Sequence, residues 1–274
     1  MKLACYSLVL GEGYTVPAVI DILKKYGYDG VEWRVRDDYH IPLLNIEEKA
    51  VEIKAACDAA GLEIPALATY LHISQTEEVS NVLKAAAIMG CESVRLLAPI
   101  FDGSRHYLEI LTKAKRDLAR LEPLCKDSGV KATIELHFGH IAPSASAGLR
   151  LVEDCSPDCI GIIYDPGNMI YEGMENWQLG IQLLGDYLTH IHIKNSGWFY
   201  SEELGWKAGV TRLQEGIIDW QYIITLLHKE GYAGWLSLED FFNIPVEEKL
   251  EVDADFIRQY IKSAETIKND TSTR

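Results

Sequence analysis

The chain has 274 residues, 48% of them hydrophobic, enough for one sizeable core, and no compositional break divides it. Its formal net charge of −15 argues against nucleic acid and anionic membrane surfaces, and leaves a divalent cation and a small neutral or modestly charged substrate as fitting partners. No apolar run approaches a membrane span, and MKLACYSLVLGEG turns to Gly and Glu too soon for a signal peptide.

In chain order, LACYSL reads as a first strand. The GEGYT that follows is not the GxGxxG of a dinucleotide turn. TVPAVIDILKKYG places Val16, Val19, Ile20 and Leu23 on one helical stripe, with Thr15 as N-cap and Pro17 in the first turn. GVEWRV and IPALATY read as the next strands, and Ser74 and Glu77 have capping-box spacing before SNVLKAAAIMG. SVRLLAP, the helix YLEILTKAKRDLARLEPLCKDSG, ATIELHF, IGIIYDP, LTHIHIK, the helix WQYIITLLHKEG and WLSLEDF complete the series. Gly27, Gly61, Gly90, Gly129, Gly185 and Gly231 mark the joints where helical pattern gives way to strand. Residues from about 266 to 274 read as a frayed tail.

Eight short apolar strands, each followed by a helix, predict a parallel sheet closed into a single (β/α)8 barrel over residues 1–274. A doubly wound open sheet is the rival, and it lacks its usual Gly-rich phosphate turn here. The six cysteines, Cys5, Cys57, Cys91, Cys125, Cys155 and Cys159, contain no CxxC pair. Cys155 and Cys159 offer a minor zinc reading, but the set reads as reduced, partly buried thiols of a cytoplasmic protein.

A parallel barrel carries its chemistry at the C-terminal ends of its strands. Those ends hold Glu135 and His137, then Asp165, then His190, His192 and Lys194, then Glu239, on four consecutive strands. In LTHIHIKN the two imidazoles and the ammonium alternate, so they face one side. Singly, each has a plainer reading: Glu135 or Glu239 as partner of an arginine, Asp165 as a turn opener before Pro166, His192 as a core histidine, Lys194 as a rim ion pair. Together they form a mixed oxygen and nitrogen set suited to Mn²⁺, Mg²⁺, Co²⁺ or Zn²⁺, and a cation would offset the cost of burying the carboxylates. Lys194 is also a candidate for an oxyanion or phosphate, and His137 for a substrate hydroxyl. Asn168 is expected to stay in its turn, and Glu32 to pair with an arginine inside the barrel. Arg34 and Arg95 are expected to reach the mouth. SGWFYSEELGWKAGVTR is a long aromatic loop whose Trp198, Phe199, Tyr200 and Trp206 would wall a sugar ring or meet another subunit.

IELH, YDPGNM, HIHIKN, GIIDWQYIITLLHKEGYAG and LSLEDF, with GYDGVEWR near the start, resemble the xylose-isomerase-like superfamily of sugar isomerases and epimerases over nearly the whole chain. The resemblance implies one divalent ion, Mn²⁺ first, on Glu135, Asp165, His192 and Glu239. His190 is then a residue behind the ligands, bonding one of them or filling the barrel. It implies Glu135 and Glu239 as acid and base in isomerisation or epimerisation of a ketose through a metal-stabilised enediolate, with His137, Lys194, Arg34, Arg95 and Trp198 toward the sugar. The same constellation would serve a dehydratase or lyase of a keto-sugar or keto-inositol, and a metal-dependent sugar-binding barrel is the non-enzyme alternative. A homodimer or homotetramer is implied too. The DNA-repair branch of the superfamily has a histidine where Asn168 stands, and true xylose isomerases are longer, with a second metal set absent here. A phosphate would want several cations at the mouth; Lys194, Lys207, Arg34, Arg95 and Arg212 are the candidate donors, and the acidic balance of the chain points to an unphosphorylated substrate.

Overall fold

A computed structural model describes residues 1–271, with side chains to 266. Eight parallel strands close into a barrel: β1 (Lys2–Tyr6), β2 (Gly30–Arg34), β3 (Ala66–His72), β4 (Ser93–Leu97), β5 (Lys131–Glu135), β6 (Ile160–Tyr164), β7 (Leu188–Ile193) and, after a hairpin, β10 (Trp235–Leu238). β10 pairs with both β7 and β1, so the barrel itself has no open edge. The outer ring is α1 (Val16–Lys25), α2 (Ile46–Ala60), α3 (Thr76–Met89), α4 (Tyr107–Ser128), α5 (Ala145–Val152), α7 (Trp177–Leu184), α8 (Trp220–Lys229) and α9 (Val246–Thr271), with a one-turn α6 (Pro166–Met169) at the mouth.

Local chemistry explains the joints. The Thr15 side chain accepts from the Ala18 N–H at the start of α1. Gly61, Gly90 and Gly129 end α2, α3 and α4 in the left-handed conformation at φ 66°, 69° and 69°, which a side chain resists. The expected capping box at Ser74 is not used: α3 starts at Thr76, its N-cap is Gln75, and no side chain caps it. The first strand is shorter than its apolar run, because Ser7–Leu10 turns into a 3-10 helix. The last helix carries the expected tail on to Thr271, and residues 272–274 lie outside those described.

The aromatic loop is an antiparallel hairpin, β8 (Asn195–Ser201) with β9 (Gly205–Thr211). Its two strands pair residue for residue from Asn195 opposite Thr211 to Ser201 opposite Gly205. Its root is fastened by Asn195, which donates to Leu213 O and Ile218 O and accepts from the Ile218 N–H at 2.8, 3.1 and 3.0 Å. Trp220 Nε1 donates to Lys194 O at 3.2 Å. The GIIDW run therefore clamps the end of β7. All six cysteines are free and buried, and among the described residues neither acidic or histidine cluster includes one.

Register sets the level of the mouth. Glu135 lies beside Ile163, and Asp165 is two residues further along its strand direction. His192 lies beside Ser237, with Glu239 two residues beyond. The tilt of barrel strands brings these staggered positions to one rim.

Candidate metal centre

Glu135, Asp165, His192 and Glu239 each offer a buried ligand atom, and all four atoms lie within 4.8 Å of one another. His192 Nδ1 is 2.9 Å from Glu135 Oε1, 3.3 Å from Glu239 Oε2 and 3.6 Å from Asp165 Oδ2. Three carboxylates and one imidazole nitrogen aimed at a common point fit a hard or borderline divalent ion with open positions for substrate. Without a compensating cation, three carboxylates so near one another and so dry would repel.

The protein supplies part of that compensation. Lys194 Nζ is 2.7 Å from Asp165 Oδ2 and 2.5 Å from Glu239 Oε2. It is buried, so the rim ion pair considered from sequence is instead an interior one. Its stem passes over Gly167, where a Cβ would collide with Lys194 Cγ. Arg95 Nη1 is 2.9 Å from Glu135 Oε2. Asn168 does more than stay in its turn: its side-chain amide donates to Asp165 Oδ2 at 2.9 Å and to Leu136 O at 3.1 Å, while its N–H meets Asp165 Oδ1 at 2.8 Å. Asp165 is thus both N-cap of α6 and candidate ligand, so its two sequence readings coexist.

Electrostatics follow the contacts. Burial pushes the Glu135 carboxyl up, but the Arg95 guanidinium and the His192 ring overcome it and hold it well below the usual carboxylate range. Burial likewise opposes the charged form of Glu239, and Lys194 and His192 override it, lowering its pKa. Asp165 goes the other way: burial dominates and raises it despite Lys194. Burial lowers His192, yet Glu239 and Glu32 lift it well above the ordinary imidazole value. Burial also opposes the Lys194 ammonium, while Asp165 and Glu239 drive its pKa up.

Two expectations change here. Glu32 does not pair with an arginine. Its Oε1 is 3.2 Å from His192 Nε2 and its Oε2 is 3.2 Å from His190 Nε2, because β2 faces β7 across the barrel interior. Accordingly His190 bonds Glu32 and not a ligand. Arg34 is stacked between Tyr39 and Tyr70, 4.8 and 5.0 Å from the ring centroids, and does not line the cavity over the cluster.

That cavity has a volume of about 400 Å³ and is bordered by Arg95, His137, Lys194 and both glutamates. Sequence reading missed Tyr70, His140, Tyr171 and Phe241 on its walls. HFGH was the available signal for His140. His137 Nδ1 meets Phe138 O at 2.7 Å and His140 Nδ1 meets Ala98 O at 2.8 Å. A carbonyl only accepts, so both Nδ1 atoms carry hydrogen, and in a neutral imidazole that arrangement makes Nε2 the acceptor. The hairpin lines the cavity with Ser196 and Val210 and not with Trp198. Trp198 shares their face further out and is 40% exposed.

Behind β10, Asp240 and Asp253 are buried side by side. Lys249 Nζ donates to Asp240 O at 2.9 Å, and Gln214 Nε2 donates to Asp253 Oδ1 at 2.8 Å. Burial first, and Asp240 next, push the Asp253 carboxyl up to about 7.

Residues 20–260 match the family described as xylose isomerase-like TIM barrel, and the chain belongs to that family. An inosose dehydratase of Clostridium botulinum (strain Alaska E43 / Type E3) is 26% identical over 219 residues, 75% of this chain and 70% of the relative. The structure of an L-ribulose 3-epimerase aligns with a TM-score of 0.78 at 18% identity, covering 100% of this chain and 98% of that one. A xylose isomerase-like TIM barrel protein from Mycobacterium smegmatis, solved in complex with magnesium, aligns with a TM-score of 0.74 at 15% identity, covering 96% and 97%.

Proposed function

We propose that this barrel is a divalent-metal-dependent isomerase or epimerase that moves a proton next to the carbonyl of a ketose or related keto-sugar. The observation that carries the reading is the convergence of Glu135, Asp165, His192 and Glu239 beneath a cavity walled by aromatic rings and by imidazole acceptors. Mn²⁺ is the ion proposed first, with Mg²⁺, Co²⁺ or Zn²⁺ served by the same donors. When bound, the ion would polarise the substrate carbonyl and ease removal of the neighbouring proton.

The chain's own groups do the rest. One of Glu135 and Glu239 takes the proton as the C–H bond breaks and the electron pair moves toward the carbonyl oxygen. For epimerisation the other glutamate, once protonated from solvent, returns a proton to the opposite face of the same carbon; for isomerisation a proton goes to the former carbonyl carbon while the neighbouring hydroxyl proton passes to the former carbonyl oxygen. Arg95 keeps Glu135 oriented, and Lys194 sets a fixed positive charge beside Glu239. His137 and His140 are the proposed acceptors for sugar hydroxyls, and the apolar walls keep water from the reacting carbon.

A second reading, dehydration of a keto-sugar or keto-inositol, is supported by the relative named inosose dehydratase. There the same proton loss is followed by cleavage of a C–O bond at the next carbon, the hydroxyl departing as water once protonated. One experiment separates the readings. The Mn²⁺-loaded protein is incubated in heavy water with free ketoses and a keto-inositol, and proton NMR is recorded. Loss of the signal beside the carbonyl with a new diastereomer or positional isomer supports the first. An absorbing enone supports the second. Metal and ligand binding with no exchange for any compound would overturn both and leave a sugar-binding barrel.

A further inference from the structure

His192 has two ring nitrogens, and the structure gives them different company. Nδ1 faces Glu135, Asp165 and Glu239 at 2.9, 3.6 and 3.3 Å. Nε2 faces only Glu32 Oε1, at 3.2 Å, on the side away from the carboxylate ring. Glu32 is fully buried, and its other oxygen is held by His190 Nε2 at 3.2 Å. Burial alone would favour the protonated acid, so a carboxylate in this position is one that two imidazole N–H groups have been arranged to satisfy. Tyr6 lies parallel to the His192 ring, at 6.4 Å between centroids and 9° between planes, and His190 meets its edge at 5.5 Å.

We propose that Glu32 is a positioning residue for the metal centre. Its carboxylate accepts from His192 Nε2–H, fixing the tautomer in which Nδ1 holds the lone pair that a cation needs, while His190 locks the Glu32 rotamer. A ligating imidazole whose far N–H is bonded to a carboxylate is a stronger and better oriented donor, and loss of such a partner weakens metal binding by about 10–100-fold. The LTHIHIKN strand then serves one centre at two depths: His192 gives the nitrogen, and His190 secures the group that orients it. The inference rests on the metal centre proposed above and concerns a residue outside its ligand set.

The test is metal affinity, with turnover left out. Mn²⁺ and Zn²⁺ dissociation constants are measured by competition with a chelator for wild type, Glu32→Gln and Glu32→Leu. The Zn²⁺-loaded proteins are then labelled with ¹⁵N-histidine to read the His192 tautomer by NMR. Glu32→Gln keeps a hydrogen-bond acceptor without the charge, and it guards against a Leu variant that fails to fold. The expected result is a loss of about 10–100-fold for Leu and a smaller loss for Gln, with wild-type His192 protonated at Nε2 and metal-bound at Nδ1. Wild-type affinity in folded Glu32→Gln together with an unchanged tautomer would overturn the inference, as would metal on Nε2 in the wild type. No metal bound by the wild type would overturn the centre itself, a distinguishable failure because every protein would then be equally silent.

Discussion

The two halves of the barrel wall divide the labour of the site. β5, β6, β7 and β10 end in Glu135, Asp165, His192 and Glu239, the residues that point donors at one spot. β1, β2 and β4 contribute no donor to that cluster; they contribute Tyr6, Glu32 and Arg95, which brace it. Arg95 grips the outer oxygen of Glu135, and Glu32 grips the inner nitrogen of His192. The difference teaches that Glu135 and His192 take their bearing from the other half, through Arg95 on the neighbouring strand and Glu32 across the interior, while Lys194 and Asn168 hold Asp165 and Glu239 from within their own half.

Substitutions can break or sharpen that division. The largest expected effect is on the presenting half. Glu135→Gln and Glu239→Gln should each lower solvent-proton exchange about 10²–10⁴-fold while the chain stays folded, checked by deuterium incorporation and circular dichroism. On the bracing half the loss should fall on folding as well. Arg95→Met leaves a buried Glu135 without its partner and should cost about 3–5 kcal/mol, read from the denaturant midpoint. If Arg95→Met were as stable as wild type and merely inactive, the distinction between halves would be wrong for this residue.

A smaller effect concerns the rear of β10. Asp253 has its pKa raised from 3.8 to about 7, so the folded chain binds a proton there that the unfolded chain has released. The stabilisation from that proton is complete below about pH 4 and disappears as pH rises to about 7. Asp253→Asn should flatten that part of the profile, measured as denaturant midpoints at about pH 5 and pH 8. An unaltered slope would mean Asp253 is not its source. The smallest effect is expected at Trp198: its exposed ring stands beyond the cavity, and Trp198→Ala should shift stability by no more than about 0.5 kcal/mol.

The same division explains what the sequence disclosed. The strand series, the glycine joints and the barrel were legible because each depends on neighbours within a few residues. The donors were legible for a related reason: strand ends share a rim, so a list of the last side chains on each strand already approximates the site. Glu32 was misread because its partners are 158 and 160 residues away, and only closure of the barrel brings β2 opposite β7. Arg34 looked like Arg95 on paper, two arginines on inward strands, and both rest on Tyr70, but of the two only Arg95 has a carboxylate in reach. The hairpin hid because glycines and charges leave neither of its strands with an alternating pattern, and Trp198 was drawn too far inward for the same reason.

The Asn195 clamp makes that hairpin an exchangeable part. Its side chain ties the ribbon's first residue to the backbone at Leu213 and Ile218, and Trp220 secures the residue before it. The ribbon can therefore be trimmed at its Glu202–Leu204 tip, lengthened or replaced by a foreign sequence with the root left as a socket. Combinatorial libraries confined to this ribbon would vary what enters the barrel while the chemistry below inherits an unchanged frame.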